Sequence, residues 1–332
     1  MARRNLFLIL FSSLSFFNAI AIKGNPLLTP EDIHLADPAI FYHDGIYYLY
    51  GTVEGNVDQG FTAYTSTDLI SWEGPKGAKE GFVLRKEDVY GTMGFWAPQV
   101  FQHKNKFYMA YTANENIAIA ESNHPLGPFT NVSKKPLKAD VKQIDPYVFF
   151  DDDGKIYLYH VRLSEGNRLF VAEMLDDFSA IKPGTLKECI SAVEPWENTA
   201  NVKWPVAEGP SIIKHNKLYY FIYSANDFRN PDYAVGYAVS NSPLGPWKKH
   251  EGNPVLHGVK LGLSGTGHGD LFKNRQGELL YVFHTHNSTD KVIPRKTAII
   301  KAYFLPDTAG NPEKLVMEKE SLYYPKVKVS GN

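Results

Sequence analysis

Apolar positions recur along the chain in one repeated form: an apolar run, a short polar turn, then an aromatic-rich run. It appears at 37–52 (DPAIFYHDGIYYLYGT), 97–113 (APQVFQHKNKFYMAYTA), 145–161 (DPYVFFDDDGKIYLYHV), 208–225 (EGPSIIKHNKLYYFIYSA) and 268–286 (HGDLFKNRQGELLYVFHTH). The turns are His43-Asp44-Gly45, Lys104-Asn105-Lys106, Asp152-Asp153-Gly154, His215-Asn216-Lys217 and Arg275-Gln276-Gly277. Apolar runs flanking such turn residues predict β-hairpins. A third-strand pattern follows several hairpins, as TSTDLISW (65–72), ESNHPLGPF (121–129) and VSNSPLGPW (239–247), with Pro and Gly setting a tight turn before an aromatic. No helical periodicity of useful length interrupts the series between 37 and 305. Repeats longer than a minimal blade of about 40–45 residues leave room for four strands and a working loop. The pattern predicts an all-β chain, a five-bladed β-propeller. The long repeats and hairpin turns argue against a β-helix. Residues 27–35 and 296–325 are the candidates for closing the ring.

Composition narrows the function. Hydrophobic residues make up 43 % of the 332, enough for a large core, and the formal net charge is −1. A nucleic-acid partner or an anionic membrane surface calls for a basic face, which this balance does not supply. Aromatic residues reach 14 %; they favour strands and offer flat apolar faces to sugar rings. The single cysteine, Cys189, cannot form an internal disulfide, so the fold must hold by its core. Arg3 and Arg4, the apolar stretch from Leu6 to Phe17 and the small-x-small site Ala19-Ile20-Ala21 read as a signal peptide over 1–21. That predicts an exported protein, periplasmic or secreted. It would carry a single catalytic domain over 22–332 and no membrane insertion after cleavage.

Superimposing the repeats places Asp37, Ala97, Asp145, Glu208 and His268 at one position, on innermost strands around a common axis. Three carboxylates and a histidine therefore converge on one mouth. Acids held together repel, and their pKa values are pushed apart. A facing carboxylate pair is what glycoside hydrolysis uses: one protonates the leaving oxygen and the other activates water or attacks carbon. Opposite walls of a propeller mouth suit the wider gap of roughly 6.5–9.5 Å found in inverting enzymes.

These residues resemble glycoside hydrolase family 43 over about 30 to 325. The motifs are Asp37 in LADPAIFYHDGIYYLY, Trp-Ala-Pro in GFWAPQVF, Asp145 in QIDPYVFFDDDGKIYLY and Glu208 in VAEGPSIIKHNKLYYFIYS. The resemblance implies an inverting single displacement. Asp37 is then the general base, Glu208 the general acid, and Asp145 the group that tunes or orients Glu208. It also implies a sugar-binding Arg295; Trp96 is expected to wall the mouth, and His34 and Phe95, close in sequence to Asp37 and Trp96, are expected to line the pocket. No cofactor is required, although a structural calcium near the axis would approach His268 (in GTGHGDLF) through water. His284 and His286 lie two apart on one strand face and read as hydrogen-bonded residues of blade five rather than zinc ligands. The expected partner is an arabinose- or xylose-containing glycan. The expected activity is an exo-acting α-L-arabinofuranosidase on plant cell-wall polysaccharide or its fragments. Alternatives are a β-xylosidase or an endo-acting arabinanase or xylanase of the same fold, and, in another class, a non-catalytic sugar-binding propeller. The loops 53–64, 76–95, 187–206 and 226–235 shape the mouth. Glu194-Pro195-Trp196-Glu197 and Trp204 are expected to wall one side, which favours exo action.

Overall fold

The computed structural model describes residues 31–131, 133–307 and 310–328. The leader read as a signal peptide lies outside the described residues. Each predicted hairpin forms the two inner strands of an antiparallel blade. The pairs are Ala36–His43 with Ile46–Thr52, Trp96–His103 with Lys106–Ala113, Gln143–Phe150 with Ile156–Leu163, Ala207–His215 with Leu218–Ala225, and Gly267–Lys273 with Leu279–Thr285. Third strands follow at Ala63–Ser66, Asn116–Ser122, Asn167–Glu173, Ala234–Ser240 and Lys296–Leu305. Among the described residues helix is confined to three short 3-10 turns, at Lys86–Asp88, Pro195–Glu197 and Gly258–Leu261. The result is a five-bladed β-propeller.

Ring closure differs in part from the sequence expectation. Glu31–Asp32 pairs with Lys326–Val327, which runs parallel to Ser71–Lys76 at the outer edge of blade one. Lys296–Leu305 and Lys314–Tyr323 instead supply the outer two strands of blade five itself. Closure therefore needs only a two-residue pairing from each end, too short to leave a periodic signal.

The core is divided among the gaps between blades. One buried cluster fills each junction, as with Phe61, Phe95 and Tyr111 between blades one and two, and Tyr159 and Phe221 between three and four. Tyrosines on second strands add directional links: Tyr50 donates to the Pro125 carbonyl at 2.8 Å and Tyr159 to the Pro243 carbonyl at 2.6 Å. Both acceptors are the Pro of a Pro-Leu-Gly-Pro turn in the next blade. A buried phenol must find an acceptor, so these repeated turns also stitch blade to blade.

Every innermost strand is broken by a register shift near its start, between Ala36 and Ala39, Trp96 and Gln99, Ile144 and Tyr147, Glu208 and Ser211, and Gly267 and Gly269. The residue after the shift begins is left-handed: Asp37 (φ 49°), Ala97 (46°), Asp145 (55°), Gly209 (61°) and His268 (44°). Such bulges re-aim side chains, and non-glycine residues hold this conformation only where their surroundings impose it. Here the next blade is fixed by the previous one. The Ala97 N–H donates to Thr52 Oγ1 at 3.0 Å, Asp145 to Thr112 Oγ1 at 2.9 Å, His268 to Ser224 Oγ at 2.7 Å and Asp37 to His284 Nδ1 at 3.1 Å. Blade three has Val161 at the acceptor's register. With no acceptor there, the Gly209 N–H turns to Asp145 Oδ2 at 3.3 Å.

Candidate active site

The bulges correct the superposition of repeat heads. Blade four carries Glu-Gly-Pro where blades one and three carry Asp-Pro, so Gly209, not Glu208, is equivalent to Asp37, Ala97, Asp145 and His268. Glu208 shares its register with Ala36, Trp96, Ile144 and Gly267. Two rings of residues therefore surround the axis, with Asp37 and Asp145 in one and Glu208 in the other. Gly209 keeps its place because a Cβ there would lie 2.9 Å from the His268 ring.

All three acids line one cavity of about 440 Å³, together with Trp96, Asn167, Phe228 and Arg295. That size suits a small ligand. A larger hollow of about 750 Å³ lies on the flank of blade four near Lys248 and His250, away from the blade heads. The chemistry belongs to the smaller cavity, because the converging acids are there.

Asp37 is buried, and burial opposes its ionisation. Arg295, His268 and His284 and a 2.6 Å hydrogen bond from Thr52 Oγ1 outweigh burial and hold the carboxyl far below the ordinary range. Burial keeps both histidines largely neutral at pH 7, so Arg295 is the lasting charge. Its Nη1 donates to Asp37 Oδ1 at 3.2 Å. Glu54 holds that guanidinium, accepting from Arg295 Nε at 2.6 Å and from the Arg295 main-chain N–H at 2.5 Å. Phe228 covers the other side, with the guanidinium carbon 4.3 Å from its ring centre.

Glu208 behaves oppositely. Burial, reinforced by the Asp37 charge, raises its carboxyl to about 7, although Tyr233 and Asn167 pull it back. Tyr233 Oη donates to Oε1 at 2.9 Å and Asn167 Nδ2 to Oε2 at 3.0 Å. Asp145 is raised well above its ordinary value by burial, then by Glu208 and Asp37. Like charges in one dry site cannot all ionise, so the Asp145–Glu208 pair keeps a proton at neutral pH. The cavity thus presents an ionised carboxylate on blade one and a proton-retaining pair on blades three and four, the requirement for a base and an acid.

Other sequence-predicted residues divide. Trp96 and Arg295 line the cavity. Phe95 does not: it is fully buried between blades one and two, stacked on Tyr111 at 5.8 Å, because its side chain points to the junction rather than the axis. His34 is exposed and outside the cavity lining. Trp196 packs against Tyr223 and Gly236 instead of walling the mouth. Glu197 anchors that turn, buried and accepting from Tyr223 Oη and Lys249 Nζ, both at 2.6 Å. Trp204 remains at the surface, 48 % exposed. Thr52, Glu54, Asn167 and Tyr233 emerge from the structure alone; each sits outside the repeat heads, where pattern gave no reason to select it.

The expected approach of a calcium ion, through water at His268, lies on the propeller axis. His268 Nδ1 faces Asp37 Oδ1 at 3.3 Å and Asp145 Oδ2 at 3.8 Å, above an axial cavity of about 30 Å³ reaching down to Asp270. Among the described residues no group of three or more His, Cys, Asp or Glu side chains is placed to hold a metal. Calcium takes six to eight oxygens at about 2.3–2.6 Å, waters among them, so an ion near His268 would complete its shell mostly with water. His286 Nε2 is bonded to the Phe228 carbonyl at 2.7 Å, which fixes the loop carrying Phe228.

Comparison with known proteins places the chain in one family. The family model described as Glycosyl hydrolases family 43 matches residues 24–308. A Humicola insolens protein named Xylosidase/arabinosidase 43A is 30% identical over 269 residues, covering 67% of this chain and 80% of its own. An Aspergillus niger protein named Beta-D-galactofuranosidase xynD is 24% identical over 303 residues, 85% of this chain and 82% of its own. A crystal structure of an endo-1,4-beta-xylanase from Bacteroides thetaiotaomicron VPI-5482 superimposes with a TM-score of 0.82 at 40% identity, covering 91% of this chain and 100% of that one.

Proposed function

The chain belongs to glycosyl hydrolases family 43 and is a glycoside hydrolase that needs no cofactor; from that premise we propose that it cleaves a terminal pentosyl linkage with inversion. The observation that carries this reading is the placement in one cavity of Asp37, held by Arg295 and Thr52, and Glu208, held by Tyr233 and Asn167. Asp37, ionised and held by Arg295 and Thr52, takes a proton from the attacking water. Glu208, raised to about 7, gives its proton to the departing sugar oxygen. Asp145 accepts the N–H of Gly209, the residue after Glu208, and so fixes the backbone beside the acid. Trp96 and Phe228 bound the sugar seat, and Arg295 offers it guanidinium hydrogens.

The reading of the substrate is a terminal α-L-arabinofuranosyl residue on a xylan- or arabinan-type glycan. A second reading, a β-xylosyl linkage, is favoured by the names of the Humicola and Bacteroides relatives. The test is hydrolysis of 4-nitrophenyl α-L-arabinofuranoside and 4-nitrophenyl β-D-xyloside by the protein from Ile22 onward, with Asp37→Asn as control. Release from one, lost in the variant, names the sugar. Release from neither contradicts the proposal.

A further inference from the structure

Trp204 is a half-exposed indole that no part of the acid–base pair requires. An exposed apolar side chain on its own says little, but this one is tied to the acid. Its Nε1–H donates to Asn167 Oδ1 at 2.9 Å, and Asn167 Nδ2 donates to Glu208 Oε2 at 3.0 Å. The indole thus fixes which way the Asn167 amide points, and so presents an N–H rather than an oxygen to Glu208. The backbone beneath the ring is fastened as well. The Asn167 N–H donates to the Pro205 carbonyl at 2.9 Å, Asn167 bridges to Val206, and Gly166 sits so close that a Cβ would lie 2.6 Å from the Pro205 oxygen. Val206 lines the cavity. Trp204 is therefore a rigid plate on the Glu208 side of the mouth. Arg295, Glu54 and Thr52 gather instead around Asp37.

We propose that Trp204 is the platform for the departing sugar, and that the sugar it takes is a pentopyranosyl ring of a β-1,4-linked chain. The inference rests on the hydrolase reading above and adds the leaving-group class to it. The group released must have its bridging oxygen at Glu208, since that carboxyl protonates it, so its ring must extend over the side of the mouth that Glu208 shares with Trp204. A pyranose chair carries its axial C–H bonds on broad faces, which lie well on an indole. A furanose ring is puckered and offers less flat area. A rigid aromatic already held by hydrogen bonds loses little freedom on binding, as a specificity contact requires.

The test uses β-1,4-xylotriose and calorimetric titration in the Asp37→Asn background, where turnover is blocked. Trp204→Ala in that background is expected to weaken xylotriose binding about tenfold, the size of one aromatic contact. Trp204→Phe, which keeps a ring and loses the N–H, is expected to retain most of the affinity. Thermal melting confirms that both variants are folded. Equal affinity with and without the Trp204 ring overturns the platform, as does equal weakening in the Phe and Ala variants. Absence of xylotriose binding in the parent overturns it too. Aryl pentoside hydrolysis, measured with Asp37 intact, fails or succeeds separately and reports on the hydrolase reading.

Discussion

Glu208 stands one residue before the backbone position that Asp37 occupies in its own blade. In blade one the left-handed residue of the bulge is Asp37 itself, with φ 49°; in blade four it is Gly209, with φ 61°. The offset puts acid and base in different rings around the axis. Each then has its own partners: a guanidinium and a threonine for Asp37, an amide and a phenol for Glu208.

Gly209 should therefore be intolerant. Gly209→Ala meets the His268 ring at 2.9 Å and strains a positive φ. Misplacing a reacting group by about 1 Å costs on the order of a hundredfold. Steady-state kinetics should show kcat falling by about that factor, with the folded state retained by circular dichroism.

The pH profile should lose activity on its alkaline side. Glu208 works only while protonated, so kcat/KM is expected to fall as pH rises through about 7. Tyr233→Phe removes a donor that favours the ionised form. Its alkaline limb should move to higher pH; movement to lower pH would contradict the assignment of Glu208.

Arg295 acts on the other limb. Without its charge, burial dominates Asp37 and its carboxyl rises. Arg295→Gln is expected to lower kcat/KM by about a hundredfold and to shift the acidic limb upward, since Asp37 would then be protonated at higher pH. An unshifted acidic limb would show that Arg295 binds sugar without acting on Asp37.

Phe95 should matter for stability rather than for sugar. Emptying its place between Phe61 and Tyr111 is expected to cost about 3–5 kcal/mol. Denaturant titration of Phe95→Ala reads this directly. A folded variant with near-normal stability and weakened substrate affinity would contradict its core role.

These outcomes also mark what patterning could reach. Hairpins were legible because apolar runs and turn residues alternate at each repeat, and Asp37 and Asp145 because Asp-Pro opens two of them. Aligning the acids puts Glu208 one residue out of place, since the glycine that takes the head position in Glu-Gly-Pro does not disturb the hydrophobic pattern and only the bulge register reveals it. Phe95 and Trp196 adjoin informative motifs, yet their side chains turn into blade junctions. Thr52, Asn167 and Tyr233 come from three different blades, at positions where a polar residue in a strand or loop has many ordinary uses. Their role exists only once the ring is closed.

The account turns on water attacking from the Asp37 side while Glu208 protonates the opposite oxygen. Proton NMR of the first sugar released from an aryl pentoside, recorded before mutarotation, reads this directly. The account predicts that the first anomer has the configuration opposite to that of the substrate. Release of the retained anomer would mean that a carboxylate attacks carbon, and would contradict the roles assigned to Asp37 and Glu208.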